Sequence, residues 1–430
     1  MNSKYLKNIC CFVFIYAIMV FLAMNKNSRT QIFTYQSEIF SDKAGYYVYF
    51  PATVIYNWNA NAFPDSIAEK TGDGFKLINS KVYTKYPCGV AILQSPFLWV
   101  AHIFATFSAD IEANGFSKPY HKAINFASAF YATIGLIYLF HFLAHYFPKK
   151  IVFLSLAIIV LGTNFLFYTI RDTGMSHIYS FAFFSIYLYL GKRAILAKWT
   201  VKYLILIGLT GGMIVLLRQI NIVFLPVVLL LDIRTFREVK ARLLSLLKVR
   251  LLIAFILSFS ILLIPQVFYY YYISGKFVTY SYGNEGFIYL ANPRILHVLF
   301  SPNNGLFLYN PILMLIWIGL YVGIKSRVKN NWLSLTYFVL LTIIVASWWS
   351  WPLGCGYGHR GFIEFYSILL IPFTTCIAYF FKLKLSWKKV IVFLFIGCSC
   401  FYNLKNTYKY DGCYLGEGNW DWKYFINFLT

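Results

Sequence analysis

The chain has 430 residues, 60% of them hydrophobic and only 12% charged, with a formal net charge of +23. A soluble core of this length cannot hide so much apolar surface. The lysines and arginines recur between hydrophobic runs instead of gathering on one basic domain, which argues against a nucleic-acid partner. Long apolar runs broken by short basic clusters point to an all-α polytopic membrane protein in contact with membrane lipids.

Lys4 and Lys7 precede the apolar run Ile9–Met24, and no small-x-small cleavage pattern follows it. An uncleaved first span is expected there, not a signal peptide. A span needs about 20 apolar residues. Further candidates fall at 122–147, 151–170, 178–196, 202–217, 220–233, 250–273, 306–324, 332–350, 362–381 and 389–403. The pair at 202–217 and 220–233 is short and hinges about Arg218-Gln219. Another run, Val90–Phe107, contains Gln94, Pro96 and His102 and suits either a span or a helix lying at the membrane surface.

Charge decides between those two. With 90–107 held outside, Lys149-Lys150, the cluster from Lys192 to Lys202, the basic stretch 234–250, Lys325 to Lys329 and Lys382 to Lys389 all fall inside. Asp232 and Glu238 are the acids that join them. Counting 90–107 as a span would put these clusters outside and break the positive-inside pattern. The expectation is about eleven transmembrane helices with the N-terminus inside and the C-terminus outside. A long first extracytoplasmic loop, 25–121, carries surface helices, and RTFREVKARLLSLLKVR forms an amphipathic helix on the inner face. The transmembrane domain is expected over 1–403, followed by a short external tail, 404–430.

The eight cysteines show no CxxC pair or zinc spacing. Cys10, Cys11, Cys376, Cys398 and Cys400 lie inside apolar runs and read as small core residues. Cys88, Cys355 and Cys413 fall in external loops, which leaves room for one disulfide of undetermined pairing. In this topology the unusual polar segments share one side: Asp42 with Gly45-Tyr46-Tyr47, KVYTKYPCG (81–89), RDTGMSH (171–177), the Arg218 hinge, the long stretch 277–305, and WWSWPLGCGYGHRGFIE (348–364). That convergence is the pattern of an active site.

Five of these motifs, in order, resemble the GT-C class of integral-membrane glycosyltransferases: Asp42-x-x-Gly45-Tyr46-Tyr47, Lys85-Tyr86-Pro87-Cys88-Gly89, Met175-Ser176-His177 through Phe181, Leu299 through Phe307, and Trp348 through Arg360. Relatives in that class include protein O-mannosyltransferases, the aminoarabinose transferases of lipid A and, more distantly, oligosaccharyltransferases. The likeness is nearest to a little-characterised bacterial branch and runs from the first span to about residue 372. It implies a GT-C fold in the bacterial inner membrane with the site facing the periplasm or exterior. It also implies transfer of a sugar from a polyprenyl-phosphate donor to a lipid, glycan or protein acceptor, in assembly of the cell envelope.

On the resemblance, Asp42 is the candidate base, and its setting among Tyr46, Tyr47 and Tyr49 is expected to raise its pKa by desolvation. The plainer reading is a helix N-cap at Ser41-Asp42. Lys85, Arg218 and Arg360 are the candidate donor-phosphate ligands, Arg360 because a guanidinium grips phosphate oxygens in bidentate fashion. For Arg360 the alternative is a snorkelling helix-end residue, and for the nearby tryptophans an interfacial belt. Arg218, costly between two apolar helices, could instead pair with Asp172. His177 is a hydrogen-bonding candidate beside the phosphate, or a helix cap. Glu285 and His359 complete the candidate substrate-binding set with Tyr46, Tyr47 and Asp172, while His141 and His145 read as structural.

Oligosaccharyltransferases carry acidic residues near RDTGMSH that help hold a divalent metal. Here one carboxylate, Asp172, and one imidazole, His177, make a poor site for such an ion, so a metal-independent enzyme is favoured over one that uses a divalent metal. Two other functions compete: a transporter or flippase for lipid-linked sugars, and an O-antigen polymerase or ligase using a diphosphate donor. No internal repeat supports the former, and the longest loop comes first, where the latter would put it late.

Overall fold

The computed structural model describes residues 3–28, 30–410 and 413–429, which fold as a mostly helical bundle. By length and composition, five helices could cross a membrane: Cys10–Asn27, Gly89–Thr106, Lys118–Leu143, Val249–Ser274 and Trp387–Lys409. Shorter apolar helices are Val201–Leu217, Gln219–Leu230, Pro311–Lys325, Asn331–Ser347 and Tyr366–Lys382. Among the described residues, the one strand pair is a small hairpin in the first loop, Lys76–Ile78 against Lys81–Tyr83.

Two expected continuous spans are broken, and the breaks meet. Lys149–Gly162 stops at the extended residue Thr163, and a second helix, Phe165–Ile170, follows. Leu306–Tyr309 likewise stops at Asn310, before the 3₁₀ turn Pro311–Met314. Helix breaks free backbone groups, which must be re-satisfied in apolar surroundings. The Asn164 amide donates to Asn310 Oδ1 at 2.6 Å, and Asn403 Nδ2 donates to the carbonyls of Leu161 (2.9 Å) and Thr163 (2.7 Å). Two distant asparagine side chains, Asn310 and Asn403, therefore pair groups that the first break exposes.

Hydrogen bonds also sort the helix ends. At one end Asn27 donates to Asn125 and to the Ile170 carbonyl, and buried Glu38 accepts from Asn125 and contacts His121. At the other end Asp232 accepts from Lys192 (2.6 Å), Tyr146 (2.9 Å) and Asn330 (3.1 Å), and Arg242 donates to the carbonyls of Leu229 and Leu231. The second end is the one that holds the basic connecting segments. Helix Gly89–Thr106 keeps to the first: Gly89 abuts Leu216, Gln94 donates to Tyr179, and His102 is 2.6 Å from Tyr120.

The basic segment forms helix Phe236–Leu246, in which no residue is buried. It starts with Thr235 at the N-cap, whose Oγ1 accepts from the Glu238 amide, while the Glu238 carboxylate accepts from the Arg234 amide. The tail is less separate than the 403/404 boundary suggested. Helix Trp387–Lys409 runs through that boundary, Tyr410 is buried, and helix Trp422–Leu429 packs Phe425 on Tyr309.

Helix Val201–Leu217 approaches Val249–Ser274 through a small-residue notch. A Cβ added at Gly208 would lie 2.7 Å from the Phe255 carbonyl oxygen, and one at Gly212 would lie 2.7 Å from that of Phe259. Gly212→Val should therefore force the helices apart and cost about 1–3 kcal/mol, seen as a lower thermal midpoint of the purified protein. An unchanged midpoint would show that the contact is looser than described.

Candidate active site

The first-loop motif and the KYPCG stretch are built to interlock. Asp42 is the first residue of helix Asp42–Tyr47, and neither cap reading holds: Ser41 occupies the N-cap position with no side-chain cap bond, and the Asp42 carboxylate points elsewhere. Gly45 must be glycine, because a Cβ there would sit 2.3 Å from the Tyr86 ring and 2.4 Å from the Gly74 carbonyl oxygen. Thr84 Oγ1 donates to the Gly45 carbonyl at 2.9 Å, and the rings of Tyr86 and Tyr46 lie 4.5 Å apart. These contacts deliver the Tyr86 hydroxyl to Asp42 Oδ1 at 2.5 Å.

Arg360 arrives from the other end of the chain. Its loop is held by Asn304, which donates to the carbonyls of Pro352 and Gly354, by Asn164, which donates to the Tyr357 carbonyl, and by the Tyr357 amide, which donates to the Tyr168 hydroxyl. The Cys355–Cys413 disulfide ties the same loop to the tail, resolving which two of the three cysteines expected in external loops pair. So anchored, Arg360 Nη2 reaches Asp42 Oδ2 at 2.8 Å.

The other candidate cations are also paired. Lys85 Nζ lies 2.5 Å from Glu285 Oε1. Arg218, at the break after Val201–Leu217, donates to Glu364 Oε1 at 2.5 Å and not to Asp172, which pairs with Lys43 at 2.8 Å. Glu364 is fully buried and also contacts His177 Nδ1 at 3.0 Å. It is a site residue that the sequence reading missed. The signal was available, since an acid at the start of an apolar run is as costly as the arginine already noticed.

Asp42, Tyr46, Lys85, His177, Arg218, Glu285 and Arg360 line one cavity of about 480 Å³. Its remaining lining is largely apolar and includes Ile220, Ile222, Val223, Phe287, Leu341, Ile344 and Val345. A second cavity of about 240 Å³ shares Asp42, Met175, Gly354 and Arg360 with the first and is otherwise bounded by Tyr35, Phe40, Lys43, Phe167 and Asp172. The ion pair stands between the two.

Three candidates fall elsewhere. Tyr47 is buried with its hydroxyl on the Gly115 carbonyl, so the two tyrosines of the GYY motif face different ways. His359 is fully buried against the Trp351 carbonyl, because its neighbour Arg360 takes the side of the loop that faces Asp42. Asp172 belongs to the smaller cavity, held there by Lys43.

The electrostatics reverse one expectation. Burial does push the Asp42 carboxyl up, but Arg360, the Tyr86 hydroxyl and Lys85 together outweigh it and hold the group below the usual carboxylate range. Burial, and then the Asp42 charge, push the Tyr86 hydroxyl far up, so it stays a neutral donor. Each carboxylate of the main cavity already has a cation, and no group of three His, Cys, Asp or Glu side chains converges among the described residues.

Because the Asp42 pKa is depressed, its contribution to stability is complete above the unfolded value of about 3.9 and is lost as pH falls through the lower folded value. The wild-type protein should melt above Asp42→Asn at neutral pH, and the gap should close below about pH 4. A gap that persists unchanged into acid would mean that the ion pair is not its source.

No protein-family profile and no curated protein match this sequence. Solved structures do. The Archaeoglobus fulgidus oligosaccharyltransferase in its apo form aligns with 97% of this chain at a TM-score of 0.52 and 14% identity, and 60% of the archaeal chain is covered. AglB from the same organism, in complex with an inhibitory peptide and a dolichol-phosphate, aligns with 92% of this chain at the same TM-score and identity, with 55% of its own length covered. This chain thus spans little more than half the length of these archaeal proteins. It is an integral-membrane helical protein with the fold of GT-C glycosyltransferases.

Proposed function

We propose that the protein is a membrane glycosyltransferase that moves a sugar from a polyprenyl-phosphate-linked donor to an acceptor hydroxyl on the extracytoplasmic face, with inversion at the anomeric carbon. The observation that carries this reading is the lining of the larger cavity: three cations, Lys85, Arg218 and Arg360, each paired with a carboxylate, in a wall that is otherwise largely apolar. An amphiphile with an anionic head fits such a space, since phosphate is gripped by arginine and lysine while a prenyl chain needs apolar walls. One solved structure with this fold holds a dolichol-phosphate, which adds support.

In the reaction, the acceptor oxygen attacks the anomeric carbon as the bond from that carbon to the phosphate oxygen breaks. Asp42 takes the acceptor proton, and the lipid phosphate departs with its charge held by Arg360, Arg218 and Lys85. Glu364 fixes Arg218, and Glu285 fixes Lys85, so those cations are oriented before the donor arrives. No step calls for a metal ion. The smaller cavity, which reaches Asp42 from the other side, suits the acceptor: its charge-paired Lys43 and Asp172 offer both donors and acceptors to a polar group, beside Phe40 and Phe167.

The disulfide supports the proposed sidedness, because such bonds persist in oxidising compartments and Cys355 belongs to the Arg360 loop. The basic connecting segments, at the opposite helix ends, agree with it. A bacterial inner membrane with the site facing outward fits both.

Asp42→Asn should lower transfer by roughly 10²–10⁴-fold, the worth of a general base, while the helical content is retained. Arg360→Ala should weaken binding of the donor lipid more than of the acceptor. Near-normal turnover by the first variant removes Asp42 as the base, and unchanged donor affinity in the second removes Arg360 from the phosphate site. Mass spectrometry of surface glycans from a deletion strain, with the loss of one sugar, would identify what is transferred.

A further inference from the structure

The three cations of the main cavity are not held alike. Arg218 has a dedicated counter-ion in Glu364, fully buried and itself contacted by His177. Lys85 has Glu285, which orients it and takes no part in the proposed proton transfer. Arg360 differs, because its partner is the proposed base: Nη2 lies 2.8 Å from Asp42 Oδ2. Its other contacts are weak, with Nη1 3.4 Å from the Cys355 carbonyl and 3.9 Å from Met175 Sδ. The Asp42 carboxylate is correspondingly occupied, with Tyr86 on one oxygen and Arg360 on the other.

A carboxylate neutralised by a guanidinium is a poor base, and a guanidinium committed to a carboxylate has less to offer a phosphate. Since Arg360 and Asp42 both line the larger cavity, a phosphate entering it competes with Asp42 for the same guanidinium. We propose that the Asp42–Arg360 pair is a donor-operated latch, in which the lipid phosphate draws Arg360 away from Asp42 and thereby frees the carboxylate to receive the acceptor proton. The proposal rests on the reading of the cavity as a phosphate site. It makes the resting enzyme a weak base and imposes an order, donor before acceptor. It also accounts for the pair's position between the two cavities, where its opening joins them. Tyr86 then serves as a positioning residue that keeps Asp42 in place after Arg360 leaves.

The latch predicts that removing the proposed base tightens donor binding. The probe is a polyprenyl monophosphate without sugar, titrated against the purified protein and read by quenching of tryptophan fluorescence, since Trp348 and Trp349 line the cavity. Asp42→Asn should bind it about tenfold more tightly than wild type, because Arg360 no longer has to be pulled away. Arg360→Gln should bind it more weakly, and the double variant no more tightly than Arg360→Gln alone. Asp42→Ser gives the same reading should the asparagine variant fold poorly. Equal or weaker binding by the Asp42 variants overturns the latch. So does a gain that persists in the Arg360→Gln background, which would come from loss of negative charge alone. Sugar transfer retained by Asp42→Asn would instead sink the assignment of the base, and the affinity cycle would be unaffected by that failure.

Discussion

An ion pair between residues 318 positions apart, Asp42 and Arg360, organises the centre of this molecule. Charges close to an apolar bundle are tolerated when they are paired. The pair can form because each partner is fixed independently. Asp42 is set by the interlock of Gly45, Tyr46, Thr84 and Tyr86, and Arg360 by a loop pinned through Asn164, Asn304 and a disulfide. The first loop and the last third of the chain are thereby brought to one point.

The same rule, applied to uncharged groups, shapes the scaffold. Thr163 and Asn310 interrupt two helices, and freed backbone groups are taken up by the side chains of Asn310 and Asn403. These breaks position the site: Asn164, beside the first of them, donates from its side chain to the Tyr357 carbonyl, three residues before Arg360. Polar side chains inside the bundle therefore serve as connectors between helix breaks and the loop that carries the central arginine. The opposite end is closed by a separate network around Asp232 that shares no residue with the site.

Much of this was legible in the residues. Composition pointed to a helical membrane protein, and alternation of basic clusters placed Asp42, Lys85, Arg218, Glu285 and Arg360 at one end, where the structure brings them into one cavity. The breaks at Thr163 and Asn310 were not legible, because hydropathy is blind to one extended residue in an apolar run. Motif membership also does not give side-chain direction, which is why Tyr47 and His359 were grouped with neighbours that face the site while they themselves do not. The direction of the Asp42 shift failed for a related reason: desolvation by nearby tyrosines can be read locally, whereas the cation that outweighs it comes from the far end of the chain. Glu364 could have been found, since a lone acid at the head of an apolar segment calls for a partner.

The central claim is that a lipid phosphate sits among Arg360, Arg218 and Lys85, next to Asp42. The most direct measurement is an electron cryo-microscopy map of the protein bound to a polyprenyl monophosphate. The account predicts phosphate density within hydrogen-bonding distance of Arg360 and at least one of the other two cations, with the prenyl chain leaving past Ile222 and Ile344. Density at the Lys192–Asp232 end, or a phosphate in the larger cavity that touches none of the three, would contradict it.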